Sequence, residues 1–112
     1  MKKIIGLGHS RIKMKEREIR KKAIKELEEL GYICWYPPKV RWKKEGDIFS
    51  VFDLVATKEN IIRFIQLTTT PNLSARRKKI QNWMRENDIK WSAEVWAWDK
   101  KKKVFKKEEV KV

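Results

Sequence analysis

Residues 48–68 read Ile-Phe-Ser-Val-Phe-Asp-Leu-Val-Ala-Thr-Lys-Glu-Asn-Ile-Ile-Arg-Phe-Ile-Gln-Leu-Thr, and this stretch decides the fold. It contains two nearly continuous apolar runs, 48–57 and 61–68, with the short polar sequence Lys58-Glu59-Asn60 between them. Two such runs joined by a short turn predict an antiparallel β-hairpin. Because few polar residues interrupt the runs, we expect central strands that are covered on both faces of a sheet.

Upstream of this hairpin, residues 11–30 are predicted to form a long helix. Apolar side chains recur there every three or four positions, and Gly31 is a typical helix stop. Residues 32–36 are β-branched and aromatic, which favours a strand, and the two prolines that follow end it. Residues 39–46 are expected to form a basic loop.

Downstream, Pro71 breaks the chain, and a second helix is predicted to run to about Asn87. Residues 93–98 favour another strand, and Val104 begins a last one after the basic turn Lys100–Lys103. The elements therefore predict a single α/β domain over residues 1–112, with a mixed central sheet flanked by helices.

Charge is the strongest global feature of the chain. It has 29 Lys and Arg residues against 15 Asp and Glu residues, a formal net charge of +14. Such an excess favours a polyanionic partner, and nucleic acid is the first candidate. The abundance of charged residues is also typical of thermophile surfaces, but that does not account for the imbalance in sign.

Other classes of protein fit the composition less well. No apolar segment approaches the length of a membrane span, so we expect a cytoplasmic protein with no membrane partner. The single cysteine, Cys34, fits a reducing compartment, and we interpret it as a small buried hydrophobic residue. The lone histidine, His9, and the lone cysteine exclude a structural zinc site.

Two short motifs contain the candidate site residues. Asp53 lies on the first predicted hairpin strand, and Gln66-Leu67-Thr68 lies on the second, followed by the basic helix 74–80. In this arrangement the chain resembles the PD-(D/E)XK nuclease superfamily, which includes archaeal Holliday junction resolvases and small viral and phage endonucleases. The resemblance covers about residues 11–98 and implies a restriction-endonuclease-like αβββαβ core.

The resemblance also implies a metal site. Divalent metals such as Mg²⁺ or Mn²⁺ favour hard oxygen ligands and activate water for phosphodiester hydrolysis. Asp53 would be the main ligand, the side-chain carbonyl of Gln66 would replace the usual carboxylate, and Asp47 could supply a second charge. Facing strands of a hairpin would bring Asp53 and Gln66 into one pocket.

Besides Gln66, two further positions depart from the family pattern. Thr68 stands where the family has a lysine, so a basic residue of the following helix, Lys78, Lys79 or Arg77, would substitute for it. The family often has a glutamate on the first helix, and Glu16 or Glu18 would serve there. The expected catalytic residues are therefore Asp53, Gln66, Thr68, Lys79 and Glu18.

Basic residues on both sides of this site are expected to contact the DNA backbone. They are Arg11, Arg41, Trp42 (as a base-stacking residue), Lys43, Lys44, Arg76, Arg77 and Lys78.

Several interpretations remain open at this point. The first is an endonuclease that cleaves DNA, including branched or junction DNA, and that acts as a homodimer. The second is a non-catalytic nucleic-acid-binding or recombination accessory module, and the third is a basic protein that binds another protein. Asp53 could instead form an ion pair with Arg41 or Arg63, and Gln66 could be an ordinary strand residue.

Overall fold

The computed structural model describes residues 16–38 and 47–112. Two helices and five strands make up this part of the chain. They are, in chain order, α1 (Glu16–Glu29), β1 (Ile33–Trp35), β2 (Leu54–Lys58), β3 (Ile61–Thr69), α2 (Leu73–Glu86), β4 (Ala93–Asp99) and β5 (Val104–Val110). A short 3₁₀ turn, Thr70–Asn72, joins β3 to α2.

The strands form one sheet in the order β1-β2-β3-β4-β5. β3 and β4 are parallel, and the other neighbouring pairs are antiparallel. The parallel pair needs a crossover connection, and α2 supplies it. The prediction of an α/β protein with a mixed sheet is confirmed.

Each helix covers a different face of the sheet. The buried side of α1 (Ile19, Ala23, Leu27) packs on one face, together with Leu54, Ala56, Ile65, Leu67, Trp96 and Trp98. The buried side of α2 (Leu73, Ile80, Met84) packs on the other, together with Val51, Phe52, Ala93, Val95, Ala97 and Val110. Because side chains alternate along a strand, successive residues of β3 and β4 belong to different faces. None of the helices described by the structure is long and apolar enough to cross a membrane.

The predicted hairpin forms, with Lys58 opposite Ile61 across its turn. Its first strand is shorter than expected, because β2 begins at Leu54 and not at Ile48. The preceding segment folds into a tight turn, in which Phe49 and Ser50 both have positive φ angles (56° and 62°). The N–H of Val51 donates to the carbonyl of Ile48 at 3.0 Å, which closes the turn.

The last two strands form a hairpin with a basic tip, as predicted. β5 extends from Val104 to Val110 and pairs along its whole length with β4. The carboxylate of Asp99 accepts hydrogen bonds from the backbone N–H groups of Lys101 and Lys102, each at 3.0 Å. These bonds satisfy backbone donors within the turn and fix its shape.

Candidate active site

The turn before β2 brings two aspartates together. Ile48 and Phe52 form an antiparallel bridge, and the N–H of Ile48 donates to the carbonyl of Phe52 at 2.7 Å. Asp47 and Asp53 flank this bridge directly, so the closed turn places them side by side although six positions separate them. Asp47 therefore lies close to Asp53, in the place expected for a second carboxylate.

Asp53 is held by the backbone of β3. Its N–H donates to the carbonyl of Ile65 at 3.0 Å, and its Oδ2 atom accepts a hydrogen bond from the N–H of Leu67 at 2.8 Å. Leu54 is also the register partner of Ile65, so two successive residues stand opposite one, as in a β-bulge. The bulge shifts the alternation of side chains and leaves Asp53 on the side of the sheet that α1 covers.

A small pocket forms where Asp53 meets α1. Its lining residues are Glu16, Arg20, Tyr36, Pro37, Asp47, Asp53 and Leu67. The cavity has a volume of about 10 Å³, the space of one water-sized sphere. The guanidinium carbon of Arg20 lies 4.2 Å from the centre of the Tyr36 ring, a cation–π contact that holds this side chain at the pocket.

Among the described residues, the charges that line this pocket are mostly negative, although the chain as a whole is strongly basic. Three carboxylates (Glu16, Asp47, Asp53) and one guanidinium (Arg20) line it, a formal balance of −2. The chain as a whole carries +14. Carboxylates that lie near one another repel each other, and a cation among them, such as the Arg20 guanidinium, offsets that repulsion.

The carboxylates of this pocket are suitable ligands for a divalent metal, but their side chains are too far apart to hold one as they stand. Carboxylate oxygens are the ligands that Mg²⁺ and Mn²⁺ take in proteins, typically one or two per ion with water completing the shell. Within residues 16–38 and 47–112, no three acidic, histidine or cysteine side chains stand close enough to hold a metal as they are. Side-chain rotation of Glu16 and Asp47 toward the anchored Asp53 would be required.

Gln66 and Thr68 lie on the opposite face of the sheet from this pocket. Both alternate with Ile65 and Leu67, which pack against α1, and the register partner of Gln66 is Val95, which packs against α2. Gln66 is only 2% exposed, and its Oε1 atom accepts no hydrogen bond from the described residues. The expectation that Asp53 and Gln66 share one pocket is therefore corrected, because the bulge at Asp53 turns the two side chains to different faces.

Of the candidate residues that the sequence analysis named on the two helices, some line the pocket and others do not. Glu16 lines the pocket and Glu18 does not. The reason is the buried face of α1. Glu16 lies three positions before the buried Ile19, and residues three or four positions apart lie on the same face of a helix. Lys79 is exposed on α2 and does not line the pocket. Among residues 16–38 and 47–112, the basic residue that lines the pocket is Arg20, which the sequence analysis did not name as a site residue.

The basic residues expected to contact DNA have different surroundings. Lys78 is exposed and Arg76 is half-buried on α2. Arg77 donates to Glu108 at 2.7 Å, so its charge is already paired. Arg11, Arg41, Trp42, Lys43 and Lys44 lie outside the described residues.

Arg63, one suggested partner of Asp53, is bound elsewhere. Its guanidinium donates two hydrogen bonds of 2.7 Å to Glu94, its neighbour across β3 and β4. Burial alone would raise the pKa of Glu94, but hydrogen bonds from Arg63 and Trp96 outweigh it and lower that pKa. The carboxylate of Glu94 is ionised at neutral pH and structural, since it joins two central strands.

In comparisons with known proteins, no family model, curated protein or solved structure matches this chain.

Proposed function

We propose that this protein is a metal-dependent endonuclease that hydrolyses phosphodiester bonds in DNA, with its site in the pocket between α1 and the start of β2. The observation that carries this proposal is that α1 and the turn before β2 bring Glu16, Asp47 and Asp53 to one pocket of a strongly basic chain. Carboxylate oxygens are the ligands that Mg²⁺ and Mn²⁺ take in proteins. Metal-dependent hydrolysis of nucleic acid needs both the basic surface and the acidic pocket.

The topology supports the same proposal. A helix and a strand precede the hairpin, and a helix and a strand follow it, which is the order of a restriction-endonuclease-like core. In this proposal Asp53, directly before the first hairpin strand, takes the part of the family aspartate, and Glu16 takes the part of the glutamate on the first helix. We propose this specific core within the broader α/β class.

Each pocket residue has a role in this proposal. Asp53, Asp47 and Glu16 would hold a divalent metal, which supplies an activated water and neutralises charge on the phosphate. The N–H of Leu67 fixes one oxygen of Asp53 and so sets the direction of the carboxylate. Arg20 would bind a phosphate oxygen and take the part of the lysine that Thr68 replaces in the motif, with Tyr36 holding its guanidinium in place.

Incubation of the pure protein with supercoiled plasmid and four-way junction DNA, in separate reactions with Mg²⁺ and Mn²⁺, tests this proposal. We expect nicking or cleavage in at least one metal and none in chelator. Asp53→Ala should abolish cleavage, and its affinity for DNA in chelator should stay close to wild type. Cleavage that survives in Asp53→Ala after repurification would overturn the assignment of this pocket.

A second candidate function is DNA binding without cleavage, as in a recombination accessory module. It is favoured by the position of Gln66 and Thr68 on the far face and by the spacing of the three carboxylates, which is too wide to hold a metal without side-chain movement. This alternative predicts tight, salt-sensitive binding of the same DNA and no cleavage with any divalent metal.

We also propose a homodimer, supported by an apolar area on the face that α2 only partly covers. Cross-strand register aligns Ile33, Thr57 and Ile62 in one row, and Trp35, Val55 and Phe64 in the next. Ile33, Trp35 and Ile62 are 73%, 54% and 63% exposed, which is unusual for three large apolar side chains on adjacent strands. No charged residue belongs to either row, so two copies could pack their sheets across this area despite their net charge.

A further inference from the structure

The tip of the β4–β5 hairpin concentrates positive charge. Its five lysines are Lys100, Lys101, Lys102, Lys103 and Lys106. None of them takes part in an ion pair within the described parts of the chain. Nearby lysines of the same region differ, since Lys107 binds Glu26 and Lys111 binds Glu109.

The only acidic side chain at the tip serves the backbone. Asp99 accepts from the N–H groups of Lys101 and Lys102, and the N–H of Lys103 donates to the Asp99 carbonyl at 2.7 Å. The bond from Lys102, followed by the bond from Lys101, lowers the pKa of Asp99, so the carboxylate stays ionised and bound to the turn. The turn is thus fixed in shape while four consecutive ammonium groups project from it.

A groove lies between this tip and the start of α2. It has a volume of about 530 Å³ and is lined by Thr70, Leu73, Asp99, Lys102, Val104 and Lys106. The groove combines two ammonium groups, the hydroxyl of Thr70, the apolar side chains of Leu73 and Val104, and the Asp99 carboxylate, which is bound to the turn. A phosphate with its sugar has the matching chemistry, because it presents anionic oxygens beside an apolar ring.

The groove and the acidic pocket lie toward the same end of the sheet but on opposite faces. β3 and β4 run parallel toward this end, where β3 leads to Thr70 and β4 to Asp99. Lys106 is the register partner of Ala97, which packs with α2, so the groove opens on the face that α2 covers. Asp53 directly precedes β2 on the face that α1 covers.

We infer that the β4–β5 hairpin tip and this groove bind the phosphate backbone of DNA at this end of the sheet. The choice of DNA as the polyanion rests on the proposed function, whereas the binding of phosphate groups does not. Phosphate contacts of this kind set affinity and register and carry no sequence preference.

A pair of charge-matched double variants tests the inference. In Lys101→Gln/Lys102→Gln the tip loses two charges. In the control, Lys90→Gln/Lys111→Gln, the same number is lost at the other end of the sheet, from exposed lysines that already pair with acids. Fluorescence polarisation with a labelled DNA duplex in chelator, over a series of salt concentrations, gives the affinity and its salt dependence.

We expect the tip variant to bind at least tenfold more weakly at about 0.1 M salt, and the slope of log K against log salt to fall by about 1.8. The control should keep most of the wild-type slope. Equal slopes for the tip variant and the control would overturn the inference. Thermal unfolding of both variants checks that each is folded, which we expect because all four lysines are exposed.

The two proposals fail in different ways. If the tip variant loses affinity but wild type cleaves nothing in any metal, the proposed nuclease function fails and the binding groove stands. If wild type cleaves and the tip variant binds like the control, the groove fails alone. Absence of DNA binding by wild type in low salt overturns the groove and the nuclease together.

Discussion

The N–H of Leu67 donates a 2.8 Å hydrogen bond to the Oδ2 atom of Asp53, across the end of the β2–β3 pair. This bond, and the bulge that allows it, orient the Asp53 carboxylate toward α1. A partly buried carboxylate oxygen is costly unless a donor satisfies it, and a backbone amide is a fixed donor that costs no side-chain entropy. The Asp53 side of the candidate site is therefore anchored to β3, the central strand of the sheet.

The first prediction separates two glutamates on α1. Glu16→Gln should reduce metal-dependent cleavage by tenfold or more, because a neutral amide is a weaker ligand for a hard cation. Glu18→Gln removes the same charge from the same helix turn outside the pocket and should leave cleavage within about twofold. Initial rates of plasmid nicking measure both. A larger loss for Glu18→Gln than for Glu16→Gln would contradict the site described here.

The second prediction concerns Gln66. Its Oε1 atom is buried with no donor among the described residues, so Gln66→Met should leave stability unchanged or raise it by about 1 kcal/mol. The variant should also keep its cleavage activity, because the side chain lies on the face away from the pocket. Urea unfolding measures the stability of the variant, and the nicking assay measures its cleavage activity. Loss of activity in a stable Gln66→Met protein would restore Gln66 as a metal ligand.

The third prediction follows from the lowered pKa of Glu94. A carboxylate whose folded pKa is below its unfolded value of 4.5 stabilises the fold above that pH, and the contribution is lost as the pH falls through the folded pKa. Wild type should therefore lose more stability than Glu94→Gln when the pH is taken from neutral to well below 4.5.

Urea unfolding of both proteins across that pH range measures the difference. Glu94→Gln should be the less stable of the two at neutral pH, where the bond to Arg63 is intact in wild type. Parallel loss of stability with acid in both proteins would show that the Arg63–Glu94 pair contributes nothing to the acid sensitivity.

The fourth prediction tests the homodimer. Ile62→Lys places a charge in the exposed apolar rows and should convert a dimer into a monomer in sedimentation equilibrium. Ile61→Lys is the matched control, because the neighbouring residue of the same strand faces the other side of the sheet. A wild-type protein that is monomeric at all concentrations would contradict the proposed homodimer.

Much of the fold followed from local patterns. The turn Lys58-Glu59-Asn60 separates two apolar runs, and the structure forms a hairpin there. The second helix ends at Glu86, within a residue of the expected position, because its apolar spacing and a following Asn-Asp pair mark it clearly. The lysine tip between β4 and β5 was also predicted, since a run of charges between apolar segments favours a turn.

The geometry of the site could not be predicted in the same way. Positive φ at Phe49 and Ser50 is the conformation of a type I′ turn, which usually has Asn-Gly, so the sequence Phe-Ser gave no sign of it. The bulge at Asp53 changes the alternation by one residue, and one residue is enough to move Asp53 to the face opposite Gln66. The choice between Glu16 and Glu18 could have been made, because only Glu16 has the helical phase of Ile19 and Ala23.

Direct measurement of metal binding tests the central claim that these three carboxylates form one cation site. Titration of Mn²⁺ into the protein, followed by electron paramagnetic resonance of the free ion, gives the affinity without any substrate. We expect one site in wild type, binding at least tenfold weaker in Asp53→Asn, and an unchanged site in the charge-matched control Glu18→Gln. Equal Mn²⁺ affinity in wild type and Asp53→Asn would contradict the account.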